Sequence, residues 1–338
     1  MTIMDKTGKK ENRRMQPFML LLMGAIFFSQ QTLAWGFFGH RLINRTAVFL
    51  LPPEMMVLFK PNIEFLTEHA VDPDKRRYAV NGEAPRHYID LDRYGAWPYP
   101  DLPREWNLAV AKFSEDTLMA HGTVPWWTQT MLRRLTDAFA AKDQMRILKL
   151  SAEIGHYIGD AHVPLHACTN YNGKLTGQDG IHGFWESRIP ELFADKEYDF
   201  FIGKAGYIEK PGEFIWNRVL ESAAGADTVL KAEAVLNARF APDKKYAFEE
   251  RSGKIIRQYS SAYSRAYSDM LNGMIERRMR QTIFAVASFW YTAWVNAGQP
   301  DLRNLTNLTM TEQEQKEYDE LNIQWQTGKA IGKICEIP

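Results

Sequence analysis

The chain has 338 residues, 45% of them apolar and 24% charged, enough for one large core-bearing domain or two small ones. Lys plus Arg and Asp plus Glu are 41 each, so the formal net charge is zero. That balance excludes coating of nucleic acid or an anionic membrane through the overall field, although a local anion site remains open.

Residues 1–34 read as an export signal. Lys9, Lys10, Arg13 and Arg14 form a basic stretch, and "PFMLLLMGAIFF" (Pro17 to Phe28) is an apolar run of signal-peptide length, short for a membrane span. The polar "SQQT" interrupts that run, and Thr32-Leu33-Ala34 fits a small-residue cleavage site. The exported chain then begins at Trp35, in a periplasmic or extracellular compartment. An oxidising compartment permits a disulfide between Cys168 and Cys335, and two free thiols are the alternative.

Residues 35–300 are predicted to be one all-α domain. "REWNLAVAKFSEDTLMAHG" has apolar residues at helical spacing and stops at Gly122. "VPWWTQTMLRRLTDAFAAKD" places Trp127, Met131, Leu135 and Phe139 four apart on one face. "DQMRILKLSAEIGHYIGDAH" is capped by Asp143, and "HGFWESRIPELFAD" is a further helical segment. A long helical stretch from Tyr259 to Gly298 carries a break near Gly273 and Met274. Tyr94 to Trp106 and Asn170 to Gly183 read as loops. No β-alternation of useful length and no internal repeat is visible, and residues 301–338 read as a polar, loosely packed tail.

The chemistry concentrates in the histidines. In "GHYIGDAHVPLH", His156 and Asp160 share one helix face, Pro164 ends the helix, and His166 follows. In "GIHGFWESR", His182 and Glu186 repeat the four-residue spacing. A third segment, His69 to Asp92, offers Asp72, Asp74, His87, Asp90 and Asp92 with Arg76 and Arg77. Carboxylates and histidine suit zinc, and arginine suits phosphate. Asp74, Lys75 and Asp92 read more simply as charged surface. A capped helix end and an exposed polar pair are the bland alternatives for the first two segments. Two such pairs within about thirty residues make the metal reading the stronger one. The opening "WGFFGH" adds His40 and the α-amino group that cleavage would create on Trp35.

In order and combination, "WGFFGH", "APRHYID", "GHYIGDAHVPLH" and "IHGFWE" resemble the superfamily of bacterial zinc-dependent phospholipases C and single-strand-specific zinc nucleases (nucleases S-one and P-one). The resemblance spans Trp35 to Glu186. It implies an all-helical fold with a cleft holding three zinc ions. Trp35 (amine and carbonyl) and His40 would hold one, with Asp160 bridging to a second that also takes Asp72, His87 and His156. The third would take His166, His182 and Glu186. Asp74 is the alternative to Asp72, and Arg76 or Arg77 would steady the transition state. His69, His121 and His162 are left to surface or structural roles.

The implied activity is hydrolysis of P–O ester bonds by a zinc-bound hydroxide. The spacing from Trp35 to His40 tilts the reading to an endonuclease on single-stranded nucleic acid. Glu186, where the nucleases usually carry Asp, keeps phospholipase C as the alternative. A non-catalytic periplasmic zinc-binding protein is the reading from a different class. The expected partner is a phosphodiester substrate, with no obligate protein partner and a monomeric chain.

Overall fold

A computed structural model describes residues 36–251, 253–305, 310–328 and 331. Residues 1–35, which include the expected export signal and Trp35, and Cys335 lie outside the described residues. Of the described residues 69% are helical, and a two-stranded hairpin is the sheet they contain.

The chain opens with α1 (Gly36–Ala47), followed by the short helices α2 (Pro53–Phe59), α3 (Ile63–Glu68) and α4 (Asp72–Arg76). The region predicted as one helix near Arg104 is two, α5 (Trp106–Phe113) and α6 (Glu115–His121). Ser114 separates them: its φ of 68° stops α5, and its hydroxyl accepts from Thr117 N at 3.3 Å to start α6. Next come α7 (Val124–Ala141) and α8 (Gln144–Ala161), an antiparallel pair. Asp143 caps α8 by accepting from Arg146 N at 3.1 Å, as expected from sequence.

Helix α9 (Ile181–Gly183) runs through a π-turn at Phe184–Arg188 into α10 (Ile189–Glu197). The 29-residue α11 (Pro211–Arg239) follows. The hairpin joins β1 (Tyr246–Arg251) to antiparallel β2 (Lys254–Tyr259), with Tyr246 opposite Tyr259. It corrects the expectation of no strands. Phe248 and Ile255 are exposed and charged residues occupy much of the rest, so apolar-polar alternation is too weak to mark it. Helices α12 (Ser261–Met270) and α13 (Met274–Asn296) break at Asn272 and Gly273, both with positive φ. The polar tail contains a helix, α14 (Glu312–Thr327), with a Thr311–Glu314 capping box; it contacts α4 and has no buried residue.

The core forms where α7, α8, α13 and α1 meet. Met131, Leu135 and Phe139 of α7 are buried, as are Ile283, Val286, Phe289 and Trp290 of α13. Each such fully buried side chain contributes about 1.5–3 kcal/mol. Trp290 Nε1 donates to Ser151 O at 2.9 Å, satisfying its only polar group.

The C-terminal half of α8, Ser151 to Ala161, is buried throughout. Helix α1 crosses it at Gly155. A Cβ there would lie 2.0 Å from Asn44 Oδ1. Asn44 uses the close approach to donate to Leu66 O at 3.2 Å and Ala152 O at 3.0 Å. A residue without a side chain thus brings His40 of α1 next to His156 of α8. At the start of α1, Gly36 has a φ of +40°, and a Cβ would sit 2.7 Å from Ser187 Oγ. That contact sets the start of α1 beside the π-turn that carries Glu186.

Candidate metal centre

Three groups of His and carboxylate side chains converge, all buried: His40 with Asp74 and His156; His87 with His156 and Asp160; and His166 with His182 and Glu186. Each comes from a different local device. His156 and Asp160 sit one turn apart on α8. His87 ends a 3₁₀ turn (Ala84–His87), and His166 lies on another (Pro164–Ala167) held by α11. The two turns are tied by Ile89 N donating to His166 O (2.9 Å) and by His166 Nδ1 bonding His87 O (2.5 Å).

Asp160 joins the groups. Its Oδ2 lies 2.9 Å from His87 Nδ1 and 3.3 Å from His156 Nε2; its Oδ1 lies 3.4 Å from His40 Nε2 and 4.0 Å from His166 Nε2. Asp74 Oδ1 is 3.6 Å from His156 Nε2 and 3.7 Å from His87 Nδ1. Glu186 Oε2 is 2.8 Å from His182 Nε2 and 3.5 Å from His166 Nε2. Nitrogen and oxygen ligands about 2.0–2.1 Å from a tetrahedral zinc stand roughly 3.3 Å apart, so these separations suit the ion.

The hydrogen bonding fits the same use. Both oxygens of Asp74, Oδ1 of Asp160, Oε1 of Glu186, Nε2 of His166 and both ring nitrogens of His40 are buried with no hydrogen-bond partner among the described residues. Such groups are costly unless a cation takes them up. Behind them, His156 Nδ1 bonds Ala70 O at 2.9 Å. A donated Nδ1–H there and at His166 leaves the Nε2 lone pair facing the cluster.

His87 is turned the other way. Its Nδ1 faces Asp160, and its Nε2 lies 3.6 Å from Glu83 Oε1. Glu83 is fully buried, accepts from Tyr157 and from Arg86 (2.6 Å), and stands 3.5 Å from Arg76.

These charges shape proton binding. Burial raises the pKa of Asp160, but the charges of His156 and His166 outweigh it and hold the carboxyl well below its usual range. Burial likewise raises Glu186, and His182 and His166 bring it down to about 2. Burial lowers His87, yet hydrogen bonds to Asp160 and Glu83 and the charges of Asp160 and Asp74 push it up to about 9. Since a metal needs the neutral ring, zinc binding at pH 7.5 should release at least one proton. His87 then makes affinity rise with pH up to about 9 and level off above it. Calorimetry in buffers of different ionisation enthalpy measures this; uptake of zinc with no proton release would contradict it.

Two sequence expectations change. Asp72 does not reach the cluster: its carboxylate bonds His69 Nδ1 (2.6 Å) and Lys75 Nζ (3.1 Å). Residues two apart on a helix point to nearly opposite sides, so α4 turns Asp74 inward and Asp72 away. Asp74, read as charged surface, is fully buried. Arg76 is also turned from the cleft, donating to Glu153 (2.8 Å) and Tyr157 (3.1 Å). Arg77 lines the small cleft over the cluster with His87, Tyr88, His166, Tyr171 and His182, its Nη1 3.8 Å from Asp74 Oδ1.

Among the other histidines, His69 bonds Asp72, and His162 is buried with Nδ1 2.7 Å from Ile158 O, while His121 is half-buried. Glu83 was not singled out from the sequence, although it stands four residues before His87 in "GEAPRH" and places its carboxylate beside the far nitrogen of that ring.

Comparison with protein-family models and with curated proteins gives no match. No helix among the described residues is long and apolar enough to cross a membrane.

Proposed function

We propose that the chain is an exported zinc-dependent phosphodiesterase, built on the plan of the zinc phospholipase C and single-strand-specific nuclease superfamily, that cleaves single-stranded nucleic acid. The carrying observation is the convergence of three buried His and carboxylate groups, of which His87, His166 and His182 reach one small cleft. His87, His156, Asp74 and Asp160 would hold one ion. His166, His182 and Glu186 would hold another. His40 and Asp160, with the amine and carbonyl of Trp35, would hold the third.

When bound, zinc supplies Lewis acidity toward a phosphoryl oxygen and a water acid enough to ionise near neutral pH. The chain's own part is positioning. Asp160 ties the groups together, and Glu83 orients the His87 ring. Arg77, at the cleft with Asp74 close by, brings positive charge to where negative charge grows on phosphorus. Arg77→Ala should therefore lower kcat by roughly a hundredfold while leaving the metal content intact. Arg76→Ala should instead lower the melting temperature, because it breaks contacts with Glu83, Glu153 and Tyr157. Equal kcat for wild type and Arg77→Ala would remove Arg77 from the chemistry.

Glu186 favours the alternative, a phospholipase C, since the phospholipases carry Glu at that place. A purified sample assayed on a single-stranded oligonucleotide and on a short-chain phosphatidylcholine decides between the two.

A further inference from the structure

A second cavity, about 720 Å³ in volume, lies behind the segment that carries His87. The wall is one residue thick in sequence: Arg86 lines this cavity, and His87 lines the cleft over the metal ligands. Its size falls within the usual range for small-molecule sites.

Its chemistry alternates guanidinium and indole. Arg86, Arg104 and Arg133 line it with Trp106, Trp126 and Trp127. Arg86 lies 3.8 Å over the Trp127 ring and Arg104 4.2 Å over Trp216. Trp126 is fixed between Trp106 (5.4 Å) and Trp216 (5.0 Å), and its Nε1 donates to Arg104 O at 2.7 Å. Arg104 is half-buried, and its charge is poorly met. The one hydrogen bond its guanidinium makes among the described residues is a 3.4 Å contact from Nη2 to Pro98 O, and Nη1 is buried without a partner there. Glu105 and Glu115 also line the cavity, and neither is paired with Arg104. Stacked guanidiniums present their edges to an anion, and indole faces take a flat heterocycle. Met119, Leu132 and Pro211 make the rest of the lining apolar, so the choice of a nucleotide over a lipid rests on the guanidinium groups.

We propose that this cavity is a nucleotide subsite, holding the phosphate and base of single-stranded nucleic acid beside the metal centre. The proposal rests on the phosphodiesterase reading for its choice of strand. Arg104 and Arg133 would meet phosphate, and Trp106 would stack on a base.

The test measures binding rather than cleavage. The full-length chain, as purified with its metal, is titrated with a fluorescein-labelled phosphorothioate oligothymidylate of ten nucleotides, at several salt concentrations. Arg133 is exposed, so Arg133→Ala should fold normally. It should weaken binding and reduce the slope of log Kd against log salt by about 0.7, the loss of one phosphate contact. Trp106→Ala should weaken binding about tenfold with the slope unchanged, and Trp106→Phe should restore most of it. Circular dichroism melting confirms that each variant folds. Unchanged affinity and slope in both variants overturn the subsite. So does binding to phosphatidylglycerol vesicles, in place of the oligonucleotide, with the same losses. Loss of binding in the variants alongside a wild-type enzyme that cleaves no phosphodiester would overturn the functional reading and leave the subsite standing.

Discussion

Asp160→Asn should remove catalysis by on the order of 10³-fold and strip at least one metal ion from the chain. The substitution keeps size and one carbonyl oxygen but deletes the charge that faces His40, His87, His156 and His166. In a buried cluster, that charge would offset the two ions Asp160 is proposed to bridge, and a loss of about 4 kcal/mol in transition-state stabilisation corresponds to the stated factor. Metal content by mass spectrometry separates the two parts of the effect. A variant that keeps all its metal and its activity would show that Asp160 bridges nothing.

Gly155→Ala should cost on the order of 3 kcal/mol of stability and weaken metal binding as well. The new methyl group meets Asn44 Oδ1 at 2.0 Å, so either the helices part or the Asn44 side chain rotates. Overpacking of this kind costs about 1–3 kcal/mol. Rotation of Asn44 adds the loss of its bonds to Leu66 O and Ala152 O, about 0.5–1.5 kcal/mol each. The same separation would pull His40 from His156, whose rings now stack at 3.8 Å. Urea unfolding at constant slope reads the stability, and zinc titration reads the site. An unchanged midpoint would mean that α1 and α8 do not meet as closely as described.

What the sequence disclosed about the site was local. His156 with Asp160, and His182 with Glu186, are pairs whose meeting depends only on helix geometry, and both segments are helical. The breaks at Gly122 and Gly273 were legible for the same reason. Choices that depend on which face of one element meets another were not. Asp72 and Asp74 carry the same chemistry two residues apart, and only the packing of α4 separates them. Gly155 is plain in "EIGH", yet its use as a crossing point appears only when α1 arrives. The hairpin was not legible because Phe248 and Ile255 face solvent and Tyr259 is its one buried apolar residue, which leaves too short an alternation to mark a strand. Glu83 was hidden because its function runs through His87 rather than through a motif of its own.

A chain beginning at Trp35 is expected to hold three zinc ions and to hydrolyse phosphodiesters with them. Metal analysis of that exported form, combined with turnover before chelation, after chelation and after zinc is restored, tests it most directly. The expected result is three zincs per chain, loss of hydrolysis on chelation and its return with zinc, and one zinc fewer with little activity when an extra residue precedes Trp35. A chain that retains no zinc after dialysis, or holds zinc and turns over neither oligonucleotide nor phosphatidylcholine, would contradict the account.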